Sequence, residues 1–231
     1  LSTRGHRSRY RAPMAPTTNR HHRLGLWFAA VFAVLTALVT AGWTQDVDDS
    51  WYSAMVDLEA SAFVSFARGL HSLGTPLGNV SFVVLGIAML LVTRRSNAAL
   101  VWGLMVVAGL ALSTATKELI DRTRPLEGLV AESSASYPSG HVMVTAASTG
   151  LGLALVCGML WPHRASLFFG LATAYIVLMA WSRTYLRAHW LTDVVGGTLF
   201  GAAVVLVIAG FARAFVQPEA PAADGSTAGA S

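Results

Sequence analysis

Three polar clusters interrupt an otherwise apolar chain, and each brings a different part of a nucleophilic, anion-handling site. In Ser182-Arg183-Thr184-Tyr185-Leu186-Arg187-Ala188-His189-Trp190-Leu191-Thr192-Asp193, the histidine and the final aspartate stand at i and i+4. On a helix that spacing lets the carboxylate accept one ring N–H and leaves the other nitrogen free, which is how a nucleophile is oriented by a partner. An isolated His/Asp pair is more often a surface hydrogen bond. Asp193, however, stands at the mouth of an apolar run, where an ionisable residue is costly and functional by default. In Lys117-Glu118-Leu119-Ile120-Asp121-Arg122-Thr123-Arg124-Pro125, Lys117 and Arg124 would lie about 20° from eclipsed on a continuing helix, with both cations pointing one way. Pro125 is expected to end that helix at Arg124; a lone cation snorkelling at a membrane boundary is the ordinary alternative. Tyr137-Pro138-Ser139-Gly140-His141 reads as a helix start whose free N–H groups face an anion, with an imidazole beside it.

Taken together, these clusters resemble the three-part signature of the phosphatidic acid phosphatase type 2 superfamily. Residues 117–125 fit KxxxxxxRP, 138–141 are PSGH, and 182–193 fit SRxxxxxHxxxD, in that order. Each motif alone is weak, and the ordered set with its spacings intact is specific. Val142-Met143-Val144 replaces the small residues frequent after PSGH, and Arg187 adds a cation within the third motif. The resemblance implies that Lys117, Arg124 and Arg183, with the Ser139 hydroxyl and the Gly140 amide, hold phosphate oxygens. It further implies that His189 attacks phosphorus, that Asp193 orients it, and that His141 protonates the leaving oxygen and then activates water against a phosphohistidine. Three cations would do the electrostatic work that Mg²⁺ does elsewhere, so neither a metal nor another cofactor is expected.

The elements that must position these residues are membrane helices. Only 12% of the 231 residues are charged and 54% are hydrophobic, far from the roughly 25% charged residues of a soluble domain. Residues 24–42, 98–116, 142–160 and 191–211 each form a nearly uncharged run long enough to cross a ~30 Å hydrocarbon core. Residues 77–93 and 165–182 bring the number to six. Residues 51–74 carry Asp57, Glu59, Arg68 and His71, while Phe63, Phe66, Leu70 and Leu73 recur near helical spacing, as in an amphipathic helix lying in the interface. The expected fold is therefore all-α: a polytopic membrane bundle of six transmembrane helices, with an interfacial helix between the first two, occupying residues 24–216. Residues 1–23, with six arginines and no acid, read as a disordered basic tail attracted to anionic lipid rather than to nucleic acid. Residues 217–231 read as a second disordered tail. The chain opens on Leu1, so Met14 is a candidate initiator; the apolar run from Leu24 exceeds a signal-peptide core and is expected to be a permanent anchor. A single cysteine, Cys157, excludes an intrachain disulfide framework.

Placing both termini in the cytoplasm keeps the tail arginines, Arg94, Arg95, Arg164 and Arg213 inside, and puts the three motifs on the outer face of the plasma membrane. The expected activity is hydrolysis of a lipid phosphomonoester or diphosphate: phosphatidic acid, phosphatidylglycerophosphate or a polyprenyl diphosphate such as undecaprenyl diphosphate. The motifs read phosphate and not the tail. Vanadium haloperoxidases resemble the same motifs, but are typically soluble. A non-catalytic lipid-phosphate-binding relative would be expected to lack one of the histidines. The seam Gly197-x-x-x-Gly201 suits helix contacts within the bundle, with oligomeric state left open.

Overall fold

The structure, a computed structural model, describes residues 18–216. The expected tails therefore lie outside the described residues, except that residues 18–23 form the first turns of a helix. Regular structure among the described residues is entirely helical: α1 (Thr18–Thr40), α2 (Gln45–Asp57), α3 (Ser61–Gly74), α4 (Pro76–Val92), α5 (Ser96–Ile120), a π-helical segment (His141–Leu151) running into α6 (Gly152–Leu160), a 3₁₀ turn at Pro162–Arg164, α7 (Ala165–Tyr185) and α8 (Leu191–Val216). Five helices are long and apolar enough to cross a bilayer on their own, and α3 with α4, bent by 59°, adds a sixth where the pair is counted as one broken span.

The helices alternate in direction. The start of α1 meets the end of α8, where Gly210 leaves room for the His22 backbone. The ends of α5 and α7 and the beginnings of α4, the π segment and α8 gather at the opposite end. The deepest apolar cluster sits below that end, where Leu90, Trp102, Met105, Val156 and Val205 are all buried. The Trp102 ring reaches the α4 backbone because position 86 is glycine; a Cβ there would fall 2.3 Å from the indole. Its Nε1–H donates to the Thr149 carbonyl at 2.9 Å, satisfying the indole as burial requires.

The π segment is the axis of the fold, buried from Val142 to Thr149. The Thr149 hydroxyl donates to the carbonyl of Val144, five residues back, at 2.9 Å, and such wide turns recur at functional sites. The small-residue seam is an intramolecular contact. A Cβ at Gly201 would come within 2.4 Å of the Ala147 methyl, and one at Gly197 within 2.8 Å of the Ser139 carbonyl, so α8 lies directly on the segment that carries the PSGH residues.

Residues 51–74 differ from the single interfacial helix expected. The chain breaks after Asp57 into α2 and α3, and the break is held by Tyr185, whose hydroxyl donates to the Leu58 carbonyl and accepts from the Ala60 N–H, both at 2.9 Å. Arg187, the extra cation of the third motif, pairs with Glu59 at 2.8 Å beside it. With 14 residues, α3 extends only about 21 Å, short of a ~30 Å core. It packs by Ala67 against Tyr185 and Leu186, at the same end of the bundle as the motifs.

Candidate active site

The three motifs, far apart in sequence, converge at that end. The third motif is built around the start of α8. His189 precedes the helix rather than opening it, and Asp193 in the first turn reaches back to accept the Trp190 N–H at 2.9 Å. This bond back to the residue before the helix fixes the carboxylate. It leaves Asp193 Oδ2 at 3.2 Å from His189 Nδ1, so the i,i+4 pair forms even though only one partner is helical. Asp193 is fully buried, accepts the Ser136 hydroxyl, and receives Arg122 at 2.8 Å. With Nδ1–H directed at the carboxylate, His189 Nε2 accepts from an Arg124 guanidinium nitrogen 3.1 Å away.

The first motif departs from expectation. Helix α5 stops at Ile120, with Asp121 in the left-handed region at φ 42°, so Lys117 and Arg124 do not share a helical face. They converge regardless, because the connection 121–140 folds back: Lys117 Nζ and Arg124 both donate to the Ala135 carbonyl. Arg124 is fixed further by the carbonyls of Ala188 at 2.6 Å and Ser134 at 2.8 Å. These bonds leave its guanidinium edge beside His189.

In the second motif, Gly140 caps the π segment and His141 begins it. The buried Ser139 hydroxyl and His141 Nε2 have no hydrogen-bond partner. Buried polar atoms of this kind are expected to meet a ligand or water. Ser139 itself is anchored by its N–H to the Asp193 carbonyl at 3.0 Å, which ties the second motif to the third.

Arg183, from the end of α7, is fully buried. Its guanidinium bonds to Glu132 and to His71 Nδ1, while Glu132 also approaches Arg124 at 3.7 Å. The ring of His71 stacks on that of His141, with centroids 4.8 Å apart. His71, Glu132 and His141 offer ligand atoms within 4.8 Å of one another, the one grouping among the described residues with metal-ligand chemistry. Two of its three members are already bonded to the Arg183 guanidinium, which makes it an arginine site rather than a cation site. Burial, then the charges of Arg183, Arg124 and Lys117, hold the His189 imidazole well below its ordinary range, so it is neutral at pH 7. Burial likewise pushes the Tyr137 phenol up to about 12; it pairs with the Thr36 hydroxyl at 3.0 Å and fastens the connection 121–140 to α1.

A cleft of 590 Å³ between α4 and α5 ends on Lys117, Gly140 and His141. Val80 and Leu110, at its sides, are more than half exposed, the orientation of side chains that face lipid. A second cavity, 550 Å³ between α4, α6 and α7, has an almost wholly apolar lining and none of the motif residues. Sequence reasoning did not single out Arg122, Ser136, Asp48, Glu132 or His71 as parts of the site. Arg122 was legible as a cation inside the first cluster, but the others carry no spacing that would mark them.

Residues 98–216 match the PAP2 superfamily. The chain is 29% identical over 184 residues to phosphatidylglycerophosphatase B of Bacillus subtilis, covering 78% of this chain and 90% of that protein. It is 36% identical over 93 residues to phosphatidylglycerophosphatase B of Escherichia coli, covering 40% of this chain and 35% of that one. It also resembles the crystal structure of a transmembrane PAP2-type phosphatidylglycerolphosphate phosphatase from Bacillus subtilis, with a TM-score of 0.75, 28% identity, and coverage of 81% of this chain and 94% of that one. With three ordered motifs meeting at one end of a membrane bundle and a match across more than half its length, the chain belongs to the PAP2 superfamily.

Proposed function

We propose that the protein is a lipid phosphatase that removes a terminal phosphate from a lipid phosphomonoester or diphosphate through a phosphohistidine on His189, with no metal. The observation that carries this reading is the Asp193–His189 pair, whose Nε2 accepts from Arg124 near the cleft between α4 and α5 that ends on Lys117 and His141.

The substrate's phosphate enters between α4 and α5 while its chains stay among the outward-facing apolar side chains. Lys117, Arg124 and Arg183 take its oxygens, with the Ser139 hydroxyl and the Gly140 N–H. To reach Arg183 and Arg124 the phosphate must displace Glu132, whose carboxylate engages both. His189 Nε2 then forms a bond to phosphorus as the bond to the leaving oxygen breaks, and His141 delivers a proton to that oxygen. The charge that develops on the His189 ring is met by Asp193, which Arg122 and Ser136 hold in place. His141, now a base, takes a proton from water, and the resulting hydroxide displaces His189 to release inorganic phosphate. Of the candidate lipids, phosphatidylglycerophosphate is favoured by the relative that matches across 90% of its length, while phosphatidic acid and undecaprenyl diphosphate remain as comparison substrates. The site is assigned to the outer face of the plasma membrane, with both termini in the cytoplasm.

The test is phosphate release by purified protein in EDTA from phosphatidylglycerophosphate, phosphatidic acid and undecaprenyl diphosphate. Release from at least one, with phosphatidylglycerophosphate fastest, is expected. Release that requires added Mg²⁺, or none from any lipid, overturns the proposal.

A further inference from the structure

One buried network at the site lies partly outside the three motifs and outside the stretch that matches the family. Asp48, on α2, is fully buried, and burial of an unpaired carboxylate is prohibitive. Apart from the Thr44 hydroxyl just before its own helix, 3.4 Å away, its partners are at the site. Oδ1 accepts the Thr192 N–H at 2.9 Å, and Oδ2 accepts the Thr192 hydroxyl at 2.7 Å and an Arg122 nitrogen at 2.7 Å. Arg122 uses its other terminal nitrogen to donate to the Thr192 hydroxyl at 2.7 Å and to Asp193 Oδ1 at 2.8 Å. The guanidinium also sits over the Trp190 ring, 5.6 Å from its centroid. Thr192 is in the first turn of α8, where backbone N–H groups lack partners within the helix. Asp48 therefore caps, from another helix, the turn that carries Asp193.

We infer that Asp48 and Arg122 are positioning residues for the nucleophile: they fix the orientation and charge of Asp193, which in turn fixes His189. Asp193 has two oxygens with different duties. Oδ2 receives His189, Ser136 and the Trp190 N–H, whereas Oδ1 is held by Arg122 alone among these groups. Releasing Oδ1 lets the carboxylate rotate about its Cβ–Cγ bond and lose the bond to His189 Nδ1, with the tautomer that frees Nε2. A lysine cannot replace Arg122, because one ammonium cannot span Asp48 and Asp193 with the planar fork that the guanidinium provides. Neither Asp48 nor Arg122 is placed on a phosphate-holding atom, so their loss should slow chemistry and spare binding. This inference rests on the proposed role of His189.

The experiment compares Asp48→Asn, Arg122→Lys and His189→Ala with the wild type, measuring kcat, KM and competitive inhibition by inorganic phosphate. Asp48→Asn is isosteric and keeps an acceptor for Thr192, and Arg122→Lys keeps the charge, so each checks the other if one fails to fold. For both we expect kcat to fall roughly 10- to 100-fold, the range for partners that orient a reactive ligand, while KM and the phosphate inhibition constant change less than about twofold. Asp48→Glu, which retains the charge, should recover part of the loss. If a folded Asp48→Asn or Arg122→Lys protein keeps wild-type kcat, or loses phosphate binding as much as turnover, the inference is wrong. If His189→Ala is itself active, the failure belongs to the proposed function and not to this network.

Discussion

At the scale of single residues, the site is defined by what each buried polar atom touches. His189→Ala removes the proposed nucleophile, so turnover should vanish while circular dichroism and membrane insertion are retained. Arg183→Ala should lower kcat/KM by about 10²-fold or more, the cost of removing one preorganised charge-stabilising donor. The acidity of His189 gives a further test. Burial and three cations lower its pKa well below 6.5, and a lowered pKa keeps the ring neutral, so the ring is protonated only as pH falls far below that value. The kcat/KM profile, which reports the free protein, should therefore show no limb from His189 near or above pH 6.5; a limb there that is absent in a variant of this residue would contradict the assigned environment. His141, His189 and Asp193 were legible in the sequence because their motifs have fixed internal spacings. Asp48 and Glu132 were not, because a carboxylate that finds its partner many residues away leaves no periodic trace and reads as one more acid in a polar connection.

At the scale of elements, helix ends and one long connection do the positioning. The six apolar runs were recognisable from length and lack of charge, yet three local outcomes were not. The segment 51–74 reads as one amphipathic helix, but Tyr185 supplies hydrogen bonds to Leu58 and Ala60 that stabilise a break no local propensity announces. Likewise, α5 ends four residues before Arg124, where Asp121 adopts φ 42° and turns the chain ahead of the proline expected to end the helix. The π winding of His141–Leu151 depends on packing against its neighbours and has no sequence signature. The connection 121–140 is long for a compact bundle, a length usually reserved for function. Its Glu132 engages Arg183 and Arg124, the proposed holders of phosphate. Glu132→Gln should weaken that competition and lower the inhibition constant of inorganic phosphate severalfold, with product release becoming slower. A raised inhibition constant would mean that Glu132 supports the arginines instead of competing with the ligand.

At the scale of the whole molecule, the acids are segregated with the site. The described acids, from Asp46 to Asp193, stand at the motif end together with Arg68, Lys117, Arg122, Arg124, Arg183 and Arg187, whereas Arg20, Arg23, Arg94, Arg95, Arg164 and Arg213 stand at the other. Counted over the whole sequence, ten of the sixteen cations, including the six arginines of residues 1–23, fall on the side opposite the motifs, and this bias is what supports the proposal of an outer site. The sole cysteine, Cys157, is buried, so single introduced thiols can report sidedness. In intact cells Leu126→Cys should react with a membrane-impermeant reagent and Ser96→Cys should be protected; the opposite pattern reverses the topology. The account as a whole stands on covalent transfer of phosphate to one imidazole. Rapid acid-free quenching of purified protein with a ³²P-labelled lipid phosphate should trap label that survives base, is lost in acid and maps by peptide analysis to His189, with none in His189→Ala. Turnover with no such intermediate, or the same label in His189→Ala, would contradict it.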